Sequence, residues 1–309
     1  MRAWTHTQID QILAFFGSDE EHAVIDVDLA AVTAPKREPG AALITTLGLA
    51  ASLLLVAGAS VAGQARIVTL APHLTELAYS AGLGDKLVGV VEYSDYPPEA
   101  AALPSIGNAF RFDMETIMVL GATRALAWDG GTPQAVGLQL EALGVEVTWI
   151  RTRSLDDIVA ALLELADLAS DSARGQAAAR SLEKALTERR EAGMEPRGSA
   201  FYQVSARPLY TLGSRHVINE VLALCGLENL FADLDIEAAV VDLEAVLARQ
   251  PDWIIVSEES SAGSMSPTWK AHGFSPRDLL VVDPTVLIRP TPRIIQGIEL
   301  LCAMTAPDT

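Results

Sequence analysis

LDDIVAALLELADLAS (Leu155–Ser170) continues directly into DSARGQAAARSLEKALTERREA (Asp171–Ala192), and together these residues predict helix throughout. Apolar residues recur at helical spacing with charged residues between them: Ile158, Leu162, Leu165, Ala178, Leu182 and Ala185. Ser154 is a suitable N-cap, and two aspartates follow it in the first turn. The second part alone would span roughly 33 Å at 1.5 Å per residue. We therefore expect a linking backbone helix over residues 154–195 that is long enough to join two lobes.

Length and composition are those of a globular protein. The chain has 309 residues, of which 50% are hydrophobic and 20% are charged, so each of two lobes has residues enough for its own core. The formal net charge of -18 argues against binding nucleic acid or an anionic membrane through a basic face. It suits a partner with a positive face, although a solvated acidic surface explains the charge equally well.

Cysteine and histidine are scarce. Cys225 and Cys302 are too few for a disulfide-built scaffold or a cysteine zinc cluster, and one disulfide between them would require an exported protein. The five histidines show neither HxxxH nor HExxH spacing. We therefore expect no metal site built from histidines.

The N-terminal region precedes the predicted lobes. Residues 4–16 could form a short amphipathic helix, residues 17–40 are acidic and turn-rich, and we expect a weakly ordered extension over residues 1–40. The run AALITTLGLAASLLLVAGASVA (Ala41–Ala62) follows Lys36 and Arg37 and leads into small residues, which is typical of an export signal. The run is also long enough for an uncleaved membrane anchor, and a buried helix of the fold is the third interpretation. Either an export signal or a membrane anchor over residues 41–65 would place the rest of the chain outside the cytoplasm.

Strands alternate with helices on both sides of the linking helix, which predicts two parallel-sheet α/β lobes over residues 66–153 and 196–309. In the first lobe we expect strands at 66–70, 86–91, 122–128 and 145–150, and helices at 75–81, 113–120 and 134–143. In the second lobe we expect strands at 199–204, 253–256 and 279–282, and helices at 218–225, 242–248 and 293–304.

The two predicted lobes repeat one pattern. Glu115 opens a helix and lies 13 residues before the strand end at Trp128; Glu244 opens another and lies 13 residues before Ser257 (128 − 115 and 257 − 244). Such a repeat predicts two similar lobes whose strand ends face a shared ligand cleft. From the residues alone, the two glutamates are most simply acids at the positive end of a helix.

Several motifs together resemble those of periplasmic cobalamin-binding proteins of ABC importers, a group within the wider class that also binds iron–siderophores and haem. The motifs are PHLTELAYSAGLGDKLVGV (72–90), EYSDYPPEA (92–100), AWDGG (127–131), CGLENLF (225–231) and RPTPRI (289–294). The resemblance covers nearly all the chain after the apolar run. It implies two α/β lobes on a stiff helical backbone, a periplasmic location, and capture of a chelate that is then delivered to a membrane permease.

The resemblance also implies roles for two pairs of residues. Glu115 and Glu244 match the glutamates through which the family docks on arginines of the permease dimer. Cys225 and Cys302 match two cysteines that are bridged in the cobalamin-binding relatives, whereas two buried free thiols are the alternative.

Ligand contacts follow from the same resemblance. Tyr93 and Trp128 match ligand-binding residues, Tyr210 stands where a relative carries phenylalanine, and Arg289 matches an arginine near the cleft. Flat rings suit a broad corrin, and arginine suits amide or phosphate oxygens. Core packing is the alternative for Trp128 and Tyr210, and a surface cation is the alternative for Arg289. We expect a monomer without a resident cofactor or metal, whose bound ligand is a cobalt corrinoid.

Three positions depart from the close relatives. Their cleft tryptophans align to Ala109 (with Phe110 beside it) and Ala238, and an aspartate near the arginine aligns to Thr285. A cleft with fewer large rings would suit cobinamide or a different chelate, so an iron–siderophore or haem carrier remains the first alternative. Few arginines stand near the predicted loops to hold an anionic siderophore: Arg111, Arg207, Arg215 and Arg289.

Other classes receive less support from the sequence. GxSxG, a phosphate loop and GxGxxG at a strand-to-helix turn are all absent, so we expect no enzyme. A membrane-tethered sensor that uses the same fold is the second alternative, and a retained helix over 41–62 would favour it.

Overall fold

The computed structural model describes residues 65–108, 111–257 and 267–306. The strands are β1 Ile67–Thr69, β2 Leu87–Val90, β3 Arg124–Asp129, β4 Glu146–Arg151, β5 Gly198–Gln203, β6 Ser205–Ala206, β7 Leu209–Leu212, β8 Leu227–Asn229, β9 Ala238–Val240, β10 Trp253–Ser257 and β11 Leu279–Val282. The helices are α1 Pro72–Ser80, α2 Met114–Val119, α3 Gln134–Ala142, α4 Leu155–Leu168, α5 Ala173–Ala192, α6 Ile218–Ala223, α7 Leu243–Arg249, α8 Pro267–Ala271, α9 Pro284–Leu287 and α10 Ile294–Met304. Within these residues no helix is both long and apolar enough to cross a membrane. The weakly ordered extension predicted for 1–40 and the apolar run Ala41–Ala62 lie outside the described residues.

Each lobe contains one parallel sheet of four strands. The order is β2-β1-β3-β4 in the first lobe and β8-β5-β10-β11 in the second. If the strands of each parallel sheet are numbered in chain order, both sheets have the spatial order second, first, third, fourth. The two lobes therefore share one topology. The predicted α/β class and the predicted repeat are confirmed: α2 leads into β3, and α7 leads into β10, at the same place in each sheet.

The second lobe carries a small antiparallel sheet, β6-β7-β9, that the sequence analysis missed. Its strands are two to four residues long, too short to show the alternation that identifies a strand. Tyr210 in β7 pairs with Ser205 on one side and Val240 on the other. This sheet fixes Tyr210 to the main body of the lobe.

The predicted linking segment consists of two helices rather than one. Its start is confirmed, since the Ser154 hydroxyl accepts a hydrogen bond from the Asp157 backbone N–H at 3.0 Å in a full capping box. The helix ends at Leu168, whose carbonyl oxygen accepts a hydrogen bond from Lys86 Nζ at 2.6 Å. Asp171 then accepts the Ala173 backbone N–H at 2.9 Å and opens the next helix. The expectation of continuous helix was therefore wrong: a tertiary bond from Lys86 meets the end of the first helix, and a local bond from Asp171 begins the second.

The two helices pack side by side as a hairpin at unusually close approach. A Cβ added to Gly175 of α5 would lie 2.5 Å from Cβ of Ala166 in α4, so only glycine fits at this crossing. The 20 residues of α5 span about 30 Å. The predicted bridge between the lobes is thus α5, braced along one side by α4.

One hydrophobic core runs through both lobes and the hairpin. It contains Ile67 and Leu126 of the first sheet, Leu162 of α4, Leu182 of α5, and Leu301 of α10, all buried. A core that crosses the hairpin ties both lobes to it by apolar contact, so the hairpin is part of the folded body rather than a free linker.

A disulfide between Cys225 and Cys302 joins the end of α6 to α10, with Cα atoms 4.7 Å apart. Both cysteines are buried. The pairing predicted from the resemblance is confirmed, and the alternative of two free thiols is not.

We expect the double variant Cys225→Ser/Cys302→Ser to unfold more easily by roughly 2–4 kcal/mol, because the bridge restricts the unfolded chain. The bridged residues are 77 positions apart, so the closed loop is long. Urea denaturation of the oxidised wild type and of the variant measures the difference. A reductant should lower the urea midpoint of the wild type to that of the variant and leave the midpoint of the variant unchanged. Equal midpoints for the two proteins without reductant would contradict the expectation.

Candidate functional site

The candidate site lies where loops that follow the first-lobe strands meet the second lobe. β1 leads into α1, which begins with Pro72 and His73; β2 leads into the loop 92–98; and β3 ends at Asp129. Carboxyl ends of parallel strands lie at one edge of a sheet, which brings these loops together. Residues 289–293 of the second lobe contact the same loops.

Tyr93 adopts a left-handed backbone conformation, with φ of 65°, that non-glycine residues rarely adopt. The next residue, Ser94, is buried and accepts a hydrogen bond from Thr75 Oγ1 at 3.0 Å. Oγ1 of Thr75 is in turn 2.6 Å from Oγ1 of Thr69. A buried chain of hydroxyl groups therefore anchors the Tyr93 loop to α1 and β1.

Arg289 reaches from the second lobe to this loop. Its Nη1 lies 2.7 Å from Asp95 Oδ1, and its Nη2 donates to the Tyr93 carbonyl oxygen at 3.4 Å. The Arg289 side chain is 13% exposed, and that of Asp95 is 57% exposed. Two predicted site residues, Tyr93 and Arg289, thus meet across the lobe boundary. The interpretation of Arg289 as an isolated surface cation does not fit this position.

Arg293 forms a second contact between the lobes. Its Nε donates to Glu76 Oε1 at 2.8 Å and its Nη2 to Glu76 Oε2 at 2.7 Å, a bidentate ion pair. Hydrogen bonding to Glu76 raises the pKa of Arg293. The Arg293 guanidinium carbon also lies 3.9 Å from the ring centre of Tyr96. Glu76 lies in the PHLTEL motif and Arg293 in the RPTPRI motif, but nothing in the sequence indicated that the two residues pair.

Trp128 and Tyr210 lie mostly in the core. Their exposed fractions are 9% and 6%. The Trp128 indole meets the His73 ring edge-on, with ring centres 4.9 Å apart. Such burial favours the alternative of core packing for most of each ring. Contact between their remaining surface and a ligand stays a prediction.

Two buried histidines lie close to this boundary. Burial, followed by the charges of Arg289 and His216, lowers the pKa of His73 to about 3, and burial lowers the pKa of His216 to about 4. Both rings are therefore neutral at physiological pH. Within the described residues no cluster of three or more histidine, cysteine or acidic side chains is arranged to hold a metal ion.

Glu237 of the second lobe lies near charges of the first. Burial raises the pKa of Glu237 to about 7, opposed by Arg153 and Arg215 and reinforced by Asp129. Asp129 and Arg153 are themselves 3.9 Å apart. Glu237 is therefore partly protonated near neutral pH, which lowers the negative charge at the boundary.

The two predicted docking residues occupy equivalent, exposed positions. Glu115 lies in the first turn of α2 and Glu244 in the first turn of α7. Asp113 caps α2 by accepting the Thr116 backbone N–H at 3.0 Å. Both side chains are exposed among the residues that the structure describes, and docking through them stays a prediction.

The positions that depart from the close relatives are only partly visible. Ala238 is buried in β9, and the Thr285 backbone N–H donates to Asp283 Oδ1 at 2.8 Å at the start of α9. Ala109 and Phe110 lie outside the described residues.

Comparison with known proteins identifies the family. The pattern of the periplasmic binding protein family matches residues 67–270. The chain belongs to this family. It is accordingly a substrate-binding protein rather than an enzyme, it takes a small-molecule ligand and a transporter partner, and it is periplasmic. The predictions of family, class and transport role are confirmed at this level.

Individual relatives agree with the assignment. This periplasmic binding protein is 38% identical over 242 residues to the vitamin B12-binding protein of Vibrio cholerae serotype O1, covering 77% of this chain and 87% of that one. The crystal structure of the periplasmic vitamin B12 binding protein BtuF of Vibrio cholerae superposes with a TM-score of 0.72 at 37% identity, covering 78% of this chain and 96% of that one. The periplasmic heme-binding protein RhuT from Roseiflexus sp. RS-1, in apo form, gives a TM-score of 0.68 at 25% identity, covering 79% and 98%.

The raised pKa of Glu237 has a measurable effect on stability. The folded state holds this proton more tightly than the unfolded chain does, so stability is lost as the pH rises from about 4.5 to about 7. Glu237→Gln removes the group, and the variant should therefore exceed the wild type by roughly 2–3 kcal/mol in unfolding free energy near pH 8.

Urea denaturation at several pH values measures this difference, which should shrink toward pH 5. Glu228→Gln, at an exposed position in β8, is the matched control and should show no such trend. A difference between Glu237→Gln and the wild type that does not vary with pH would contradict the expectation.

Proposed function

We propose that this protein captures a corrinoid, either cobalamin or cobinamide, and delivers it to the permease of an ABC transporter. The observation that carries the proposal is the 38% identity to the vitamin B12-binding protein of Vibrio cholerae, which extends over 87% of that protein. The motifs that resemble those of cobalamin-binding proteins include the segments that contain Tyr93, Trp128 and Arg289. The bound chelate is substrate, and no resident cofactor is needed for this role.

Charge pairing supports a ligand without strong negative charge. Of the four arginines near the loops, Arg215 forms a bidentate pair with Asp235 at 3.0 and 2.9 Å, and Arg289 pairs with Asp95. Their charges are thus compensated by acids of this chain. An anionic siderophore would need arginines that can turn to it, whereas a neutral or cationic corrinoid would not.

Two alternatives keep specific support. An iron–siderophore or haem carrier is favoured by the TM-score of 0.68 to a heme-binding protein at 25% identity. A membrane-tethered sensor of the same fold depends on retention of the apolar run 41–62. A cleaved signal rather than an anchor is our proposal for that run, because small residues follow it.

Delivery would use Glu115 and Glu244. We infer that a monomer of this protein docks both lobes on a permease dimer, with each glutamate pairing with an arginine. The two helix starts occupy equivalent places in lobes of the same strand order, which suits a partner made of two like subunits. Rim charges of this kind mainly raise the association rate and orient the complex.

The first test is titration of the purified chain with cyanocobalamin and with dicyanocobinamide, followed by calorimetry and tryptophan fluorescence. We expect one-to-one binding of both, with quenching because Trp128 lies next to the last residue of β3, close to the lobe boundary. Trp128→Phe should lose most of the quenching. Trp253→Phe is the matched control, because Trp253 begins β10 and so lies at the opposite end of its strand.

Ferric siderophores and haemin are titrated in parallel. Tight binding of either one together with no heat from both corrinoids would overturn the corrinoid proposal in favour of the first alternative. Binding of both corrinoids with weaker binding of the anionic chelates would support it.

Docking is tested by the double variant Glu115→Arg/Glu244→Arg, which should lower uptake into proteoliposomes containing the transporter at least about tenfold, since each new charge meets a like charge. Corrinoid affinity should not change, because both residues are exposed and outside the lobe boundary. Glu141→Arg/Glu183→Arg, at exposed positions of α3 and α5, is the control with the same net charge. Equal loss in both double variants, or loss of affinity, would exclude specific docking.

A further inference from the structure

The two ion pairs between the lobes differ in how easily they can open. In the Arg293–Glu76 pair the side chains are 17% and 2% exposed, whereas in the Arg289–Asp95 pair they are 13% and 57% exposed. Separation of Arg293 from Glu76 would leave a carboxylate almost out of contact with water and unpaired, which is strongly unfavourable. Asp95 would be solvated as soon as Arg289 left it, so its separation is far less unfavourable.

Of the two arginines in these cross-lobe pairs, Arg289 is therefore the one that is better placed to donate to a ligand. Arg293 is also held by the Tyr96 ring, 3.9 Å from its guanidinium carbon, and two of its five N–H donors form the bidentate pair with the buried Glu76 carboxylate. Arg289 uses one donor on Asp95 and one, at the longer distance of 3.4 Å, on the Tyr93 carbonyl oxygen. A guanidinium has five N–H donors, so Arg289 can hold Asp95 and still donate to a neutral amide oxygen.

An anionic group that approached Arg289 would meet a different situation. It would have to replace the Asp95 carboxylate, or remain beside it with a like charge close by. A neutral oxygen acceptor avoids both penalties. The charge of Asp95 thus acts against negative ligands at Arg289.

We propose that Asp95 is a specificity-determining residue: by holding Arg289 across the lobe boundary, it disfavours anionic chelates relative to neutral ones of the same shape. The inference rests on the proposed function, which it deepens by stating the charge class of the ligand. The acid that pairs with Arg289 comes from the other lobe.

The test uses ligands that differ in one charge. Cyanocobalamin is compared with its monocarboxylic acid derivatives, in which one peripheral amide is hydrolysed to a carboxylate, by calorimetry on the full-length protein. For at least one isomer, Asp95→Asn should improve the affinity for the acid relative to the amide by about three- to fivefold, as expected for loss of a partly exposed charge. The gain should decrease at high salt.

Two controls separate a specific effect from a change in net charge. Asp85→Asn, on the exposed turn between α1 and β2, alters the total charge equally and should leave the acid-to-amide ratio unchanged. Arg289→Gln combined with Asp95→Asn should remove the gain, because the effect acts through Arg289. A ratio that does not change in Asp95→Asn, or that changes equally in Asp85→Asn, overturns the inference.

Failure of the proposed function would be recognised separately. If the wild type binds no corrinoid but binds haemin, the corrinoid proposal is wrong, and haemin with its dimethyl ester provides the same comparison of charged and neutral ligands for Asp95. Binding of neither pair of ligands would overturn both the proposed function and the inference.

Discussion

The bidentate ion pair between Arg293 and Glu76 determines how the two lobes can move. Its two hydrogen bonds, 2.8 and 2.7 Å long, join the start of α10 to α1, and the carboxylate is almost fully buried. Removing one partner from such a pair typically costs about 3–5 kcal/mol, because the remaining charge has no water to solvate it. Separation of the lobes at this contact is therefore strongly unfavourable. The Tyr93 loop, through the stacked ring of Tyr96, is tied to the same arginine.

The helical hairpin is a second connection, and it restricts motion further. Besides the shared core, Glu220 of the second lobe accepts the Leu155 backbone N–H at 3.1 Å, and Arg190 near the end of α5 lies 2.9 Å from Asp156. The start of α4 is thus bonded both to the second lobe and to the end of α5. A helical hairpin braced at both ends in this way resists bending. It therefore disfavours the wide hinge opening that a flexible linker would allow.

Most of the lobe architecture could be predicted from the sequence, because alternating strands and helices with clear caps determine it locally. The break between α4 and α5 could not be predicted. Ser170, Asp171 and Ser172 are tolerated within a helix, and the bond from Lys86 to Leu168 is a tertiary contact. The site divides in the same way. The resemblance identified Tyr93 and Arg289. The contact between these two residues, which are 196 positions apart in the chain, depends on how the two lobes are placed. The pairing of Arg293 with Glu76 required the structure for the same reason.

The positions of the exposed glutamates and of the two cross-lobe pairs are mechanically related. Glu115 lies in the first turn of the helix that leads into β3, and Glu244 lies in the first turn of the helix that leads into β10, and both of these are inner strands of their sheets. Under the proposed docking, a partner that holds both glutamates acts on both lobes at equivalent points. The resulting strain meets one contact whose carboxylate, Glu76, would be left buried and unpaired, and one whose carboxylate, Asp95, is solvated when the pair opens. Arg289 and Asp95 would then separate first, so the same contact that sets the charge of the site would also be where release begins.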